Sequence, residues 1–212
     1  HILSAKQAIP SQKPILKNCS FSIKKGEIIA IAGPSGVGKT TLAYILKGLI
    51  PHSIKGVLTG DITIAGQNLY KTKIATLARH VGMVFQDLNT QLFGATVLEE
   101  IQFGLRNMHL DLSLADDALA RLSIQDLKDE IPMNLSAGQK QRVIIASVIA
   151  PLPEILILDE PSAHLDPPAK LLLIEWLKEL NRELNTTILV IDQNANFIGE
   201  LCNSALLIKE NN

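Results

Sequence analysis

Residues 26–46 read GEIIAIAGPSGVGKTTLAYIL, and the fold follows from this stretch. The apolar run closed by Gly33 has the composition of a buried strand, and a helix-compatible segment runs from Lys39 to Leu49. Between them lies GPSGVGKT, residues 33–40: Gly33, Pro34, Ser35, Gly36, Val37, Gly38, Lys39 and Thr40. Glycines let backbone wrap closely around phosphate, so that successive N–H groups and the start of the helix, Thr41 included, face an anion. In such a loop Lys39 reaches the β and γ oxygens, and the Thr40 hydroxyl ligates Mg²⁺. The plainer alternative is a glycine-rich turn carrying a surface lysine. The spacing and flanks predict a site for Mg-ATP or a similar nucleoside triphosphate.

Working outward, VLTGDITIAG (57–66) alternates around Gly60, as two antiparallel strands joined by a turn would. VGMVFQ (81–86), EILILD (154–159), TTILVID (186–192) and SALLIK (204–209) read as further strands. From about Thr96 to Ala150 the apolar spacing becomes helical in TVLEEIQFGL, LADDALARL and SAGQKQRVIIASVIA. Asp166 followed by Pro167 caps another helix, with an expected apolar stripe of Leu171, Ile174, Leu177, Leu180 and Leu184. Apolar strands alternating with helices predict an α/β fold with a mostly parallel sheet flanked by helices. A small antiparallel β part and an inserted helical part complete it. The expected organisation is one domain over 1–212, with core and β elements at about 1–88 and 151–212 and a helical subdomain at about 89–150.

The chain has 212 residues, 47% of them hydrophobic, which suffices for a sizeable core. Twenty basic and 21 acidic residues give a net charge of −1, too little field to draw the chain onto nucleic acid, so no nucleic-acid partner is expected. No uncharged run approaches the roughly 18 to 20 residues of a membrane span. Neither a signal peptide nor metal spacing around Cys19 and Cys202 is present, so the reading is a cytoplasmic chain with two reduced thiols, a disulfide being the alternative. Any membrane contact is expected through another protein. His1, His52, His80, His109 and His164 show no ligand spacing and read as surface residues, His164 being the one with a candidate role.

EILILDE places two carboxylates at the end of a buried strand, where an open α/β sheet presents its ligands. Asp159 there can hold Mg²⁺ through water, and Glu160 can polarise an attacking water, a role worth about 10²–10⁴ in rate. The alternative is an ordinary strand end with solvated acids. LSAGQKQR (135–142) offers a second anion-binding element in Ser136, Gly138 and the helix start after them. A serine N-cap with Gln139 at the capping-box position describes the same residues, and the two readings are compatible.

That segment resembles the LSGGQ signature of ABC ATPases, with Ala137 in place of the first glycine. In the family this element, here Ser136, Ala137, Gly138 and Gln139, completes the partner's ATP site rather than its own. Gln86 looks like the Q-loop glutamine, which the resemblance makes a metal and catalytic-site residue, and SAHLD (162–166) looks like the D-loop at the dimer interface. The resemblance covers essentially the whole chain and implies a P-loop NTPase of ABC type that closes onto a second ABC ATPase domain.

Within it, VFQDLNTQLFGATVLEEIQFGL (84–105) is similar to the ATPases of energy-coupling-factor vitamin importers and cobalt or nickel importers, with Leu88 where proline is usual. In those proteins the segment leads to a helical subdomain that docks on a transmembrane coupling subunit. Phe93, Thr96 and Val97 are candidate contacts, or else helix-packing residues. Gln193 falls where the family has its switch histidine; glutamine donates a hydrogen bond but carries no imidazole charge. Ile9 before Pro10 stands where the family has an adenine-stacking aromatic. Two such departures imply slowed turnover at this site and favour a heterodimer or one half of a fused pair over a homodimer. The implied function is ATP-driven dimer closure coupled to solute import, with the protein peripheral on the inner membrane face. A hydrolytically weak ATP sensor and a soluble non-transport ATPase are the rival readings.

Overall fold

The computed structural model describes residues 6–7, 14–87, 91–163 and 165–209. Its strands are β1 (Lys6–Gln7), β2 (Ile28–Ala32), β3 (Leu58–Thr59), β4 (Thr63–Ile64), β5 (Gln67–Asn68), β6 (Val81–Val84), β7 (Ile155–Asp159), β8 (Thr187–Ile191) and β9 (Ser204–Leu207). The helices are α1 (Lys39–Leu46), α2 (Leu49–His52), α3 (Ile74–His80), α4 (Val97–Met108), α5 (Leu114–Arg121), α6 (Ala137–Ile149), α7 (Pro167–Leu184) and α8 (Ala195–Leu201).

The five apolar runs form one parallel sheet in the order β6-β7-β8-β2-β9. Parallel neighbours need crossovers, and helices supply them: α7 joins β7 to β8, and α8 joins β8 to β9. Side chains alternate across the sheet. Ile157 of β7 packs into a core with Ile31, Leu42, Ile45, Ile62, Leu69 and Leu77. Leu156 and Leu158 face the opposite way, into a core with Ile101, Leu105, Leu119, Val143, Leu173 and Leu177. Burial on both faces is why β2, β6, β7 and β8 read as largely apolar runs, while β9 at the sheet's edge is mostly exposed. Register brings Ala30 and Leu158 level with Val190, so the chain leaves β2, β7 and β8 at one end of the sheet.

Several local expectations are corrected. The helix expected over 39–49 ends at Leu46, because the chain turns left-handed at Gly48 (φ 81°) before α2 begins. The segment 57–66 supplies antiparallel strands, but they do not pair with each other. β3 pairs with β1, while β4 pairs with β5 across a tight turn at Ala65 and Gly66, both at positive φ. Alternation located the strands without naming their partners. On α7, Leu173 is buried and Leu171 is 52% exposed, so the inward stripe runs Leu173, Ile174, Leu177 and Leu180.

Two polar residues support the frame. Lys47, after α1, donates its Nζ to the carbonyl of Val81, and burial pulls its pKa down to about 8. His80 is tied rather than free at the surface, with Nδ1 2.6 Å from Glu154 Oε1. His1 and His164 lie outside the described residues, as do Leu88, Ile9 and Pro10.

Candidate functional site

The glycine-rich loop leaves β2 and enters α1 at Gly38, whose φ is 105°. A Cβ there would stand 2.9 Å from Ile15 and 3.0 Å from Leu16, so close approach as well as conformation requires glycine. The first turn of α1, with Thr40 and Thr41, has no acidic residue and Gly38 supplies no side-chain cap, the arrangement in which a helix start can take an anion. Lys39 folds back over the loop and donates to the carbonyls of Gly33 (2.9 Å) and Pro34 (2.8 Å). Pro34, Ser35 and Gly36 are exposed at the rim, and Val37 packs against the core beneath.

Beside this loop, β7 ends in buried Asp159. Burial raises its pKa above the ordinary carboxylate range and the neighbouring Glu160 charge adds to the rise, while the Thr40 hydroxyl hydrogen bond and the Lys39 charge pull the other way. Thr40 and Asp159 are therefore in contact. With Gln86 close by, the donors are hydroxyl, carboxylate and amide oxygens, the set that suits Mg²⁺ when phosphate oxygens and water complete its shell. Among the described residues there is no group of three or more His, Cys, Asp or Glu that could hold a metal ion.

Glu160 turns left-handed (φ 53°), and its N–H donates to the carbonyl of Ile191 at 2.7 Å, fixing it against the end of β8. Its carboxylate accepts two amide N–H groups: Gln86 Nε2 at 2.8 Å on one oxygen and Gln193 Nε2 at 2.8 Å on the other. These glutamines follow β6 and β8, so three strand ends converge on one carboxylate.

The second element lies apart, at the start of α6. Ser136 accepts from Gln139 N (3.4 Å), and Gln139 Oε1 accepts from Ser136 N (2.9 Å), so the capping box is present. Ala137 and Gly138 follow in a first turn without acidic residues, Ala137 exposed and Gly138 half-buried. The capping box leaves the first turn of α6 free of acidic residues, which is compatible with the anion-binding reading of the same residues.

Sequence reasoning missed several partners. Asp192 directly follows β8; it accepts from Ser162 N (3.0 Å), Ser162 Oγ (2.9 Å) and Asn194 N (2.8 Å), locking the turn after Glu160. Gln141, on α6, donates its Nε2 to the carbonyl of Pro161. Glu100, buried on α4, accepts from Phe93 N (2.6 Å) and Gly94 N (2.7 Å) and leaves the Phe93 ring 76% exposed. Of the expected docking residues, Val97 is fully buried and belongs to the core, and Thr96 is the N-cap of α4, accepting from Glu99 N. Both thiols are free, and burial pushes Cys202 up to about 11.

The ABC transporter family model matches residues 16–163, well over half the chain. The chain belongs to the ABC transporter ATP-binding family. Members assigned as ABC transporter ATP-binding proteins in Pyrococcus abyssi and Pyrococcus horikoshii are each 40% identical, over 87% and 90% of this chain and 68% of their own length. A Methanosarcina mazei relative is 37% identical over 94% of the chain, which spans 35% of that longer protein. Among solved ABC structures, CbiO1 of Clostridium perfringens, part of the ABC transporter complex CbiONQ, superposes with TM-score 0.83 and 34% identity, over 98% of this chain and 83% of CbiO1. The dimeric ABC cassette MJ0796, in a post-hydrolysis state bound to ADP and Pi, matches with TM-score 0.83 and 26% identity over 98% and 93%. This ABC ATPase has the family's parallel sheet flanked by helices, with small antiparallel ribbons. No helix among its described residues is long and apolar enough to cross a membrane.

Proposed function

We propose that this chain is the ATP-hydrolysing subunit of a solute importer, driving transport by closing onto a second ABC domain. The carrying observation is the Glu160 carboxylate held by Gln86 and Gln193 beside the Lys39 loop. The backbone of residues 33–41 cradles the triphosphate, and Lys39 exchanges its two carbonyl partners for β and γ oxygens. Mg²⁺, when bound with nucleotide, neutralises charge developing on the phosphates. Thr40, Gln86 and Asp159 would hold it. Glu160 orients the attacking water and accepts its proton, with Gln193 fixing one carboxylate oxygen. Ser136, Ala137, Gly138 and Gln139 cap the triphosphate bound by the partner protomer, and hydrolysis releases that grip.

CbiO1 works within CbiONQ, which supports import and a coupling subunit docked on the helical segment, here around exposed Phe93. The solute class we favour is a vitamin or metal ion, with the subunit peripheral on the inner face of the membrane. Gln193 in place of a histidine favours a heterodimer, or a fused pair, in which this site turns over slowly.

The test is Glu160→Gln in the complex purified with its native partners. We expect phosphate release to fall about 10²–10⁴-fold and an ATP-bound pair to accumulate. Unchanged turnover, or Lys39→Ala binding ATP and associating normally, would overturn the proposal.

A further inference from the structure

We infer that Gln141 is a positioning residue for hydrolysis: from helix α6 it holds the backbone carbonyl of the residue that follows Glu160. Its Nε2 donates to the carbonyl of Pro161, the residue directly after Glu160. Gln141 is 3% exposed, and among the described residues no donor reaches its Oε1. A buried acceptor without a partner is a standing cost, and packing alone does not call for it. The surroundings are mostly apolar: Ile145, Leu165, Leu172, Leu173 and Trp176, with Arg142 laid over the Trp176 ring, line a small cavity of about 50 Å³ against Gln141. A residue kept polar in such a place is kept for its amide N–H.

The Pro161 carbonyl is a sensitive place to hold the chain. Glu160 stands at positive φ, a conformation that persists in a non-glycine residue when its neighbours determine it. Ile191 fixes its N–H side, Asp192 fixes Ser162 beyond it, and Gln141 fixes the carbonyl between. Two of these anchors come from the end of β8. The third comes from α6, five residues after Ser136, on the helix whose tip faces the neighbouring nucleotide. Movement of α6 at that tip therefore reaches the Glu160 backbone through one amide. This inference rests on the functional reading above.

The experiment uses the complex purified with its native partners and compares wild type, Gln141→Met and Gln141→Glu. Methionine keeps length and bulk without the donor; glutamate donates to Pro161 only when protonated. For Gln141→Met we expect kcat to fall about 10- to 100-fold, as a sub-ångström displacement of a reacting group would produce. KM for ATP should stay within about two-fold, and ATP-driven association in the Glu160→Gln background should persist. For Gln141→Glu, should the methionine variant fail to fold, the ratio of its kcat to wild type should rise as pH falls from 8 to 6, as the carboxyl takes up the proton it needs to donate to Pro161, with KM for ATP staying within about two-fold. Wild-type kcat in Gln141→Met, loss of association alongside kcat, or a ratio that does not rise at low pH would each overturn the inference. If Glu160→Gln alone fails to trap an ATP-bound pair, the functional reading fails first and takes this inference with it.

Discussion

Gln193 Nε2 lies 2.8 Å from Glu160 Oε1, and the carboxylate's other oxygen is held by Gln86. An amide orients that carboxylate without adding charge to it. Gln193→Ala should lower phosphate release by the complex about ten-fold, since the carboxylate keeps only one of its two side-chain donors. Gln193→His should raise it and should introduce a titration near the ordinary imidazole pKa of about 6.5 that the wild-type side chain cannot supply. Single-turnover phosphate release across pH 5.5–8.5 checks both; no gain in the histidine variant would remove the proposal that Gln193 slows turnover.

The raised pKa of Asp159 gives stability a pH dependence of known sign. The folded chain keeps a proton that the unfolded chain has already lost, so stability falls as pH rises through that interval and the deficit persists at neutral pH. Asn keeps an oxygen for the Thr40 hydroxyl and carries no charge. Without nucleotide, Asp159→Asn should therefore melt higher than wild type at pH 7, and the difference should shrink as pH drops toward 4. Adding Mg-ATP should stabilise wild type more than the variant. Thermal melts at several pH values, with and without Mg-ATP, decide the matter.

Glu100 and Gly94 should control the surface around Phe93. A Cβ on Gly94 would fall 2.5 Å from the backbone N of Glu100, so Gly94→Ala must push the loop off α4. Glu100→Ala leaves the Phe93 and Gly94 N–H groups without their acceptor, a cost of about 1–3 kcal/mol. Both variants should unfold earlier in urea and recover less membrane subunit on co-purification. Phe93→Ser, at an exposed position, should leave stability within about 0.5 kcal/mol and reduce the recovery alone. Full recovery with Phe93→Ser would exclude this ring from the contact.

Much of the sheet was legible because strands buried on both faces are written as apolar runs: IIAIA, ILILD and TILVI need little context to be recognised. The phosphate loop was legible for a related reason, since its chemistry is local: backbone N–H groups, one lysine and one hydroxyl within eight residues. The partners of the short strands near residue 60 were not, because strands of two residues carry no register, and pairing with β1 is a contact more than fifty residues distant in sequence. For Val97 the structure chose the helix-packing alternative over the docking one, because exposure cannot be told from one apolar residue at a helix start.

What the sequence by itself determined was the inventory and the ends: an acid pair closing one strand, a glycine loop closing another, a glutamine after each of two more. It could also say which residue type was unusual at position 193. Only the tertiary structure decided that Gln86 and Gln193 grip the two oxygens of one carboxylate, that Asp192 locks Ser162, and that Gln141 reaches Pro161 from another helix. Those are contacts between elements up to 74 residues apart. Hydrogen-bond partners at that separation are set by how strands order themselves in a sheet, and a linear pattern of polar and apolar residues does not encode that order.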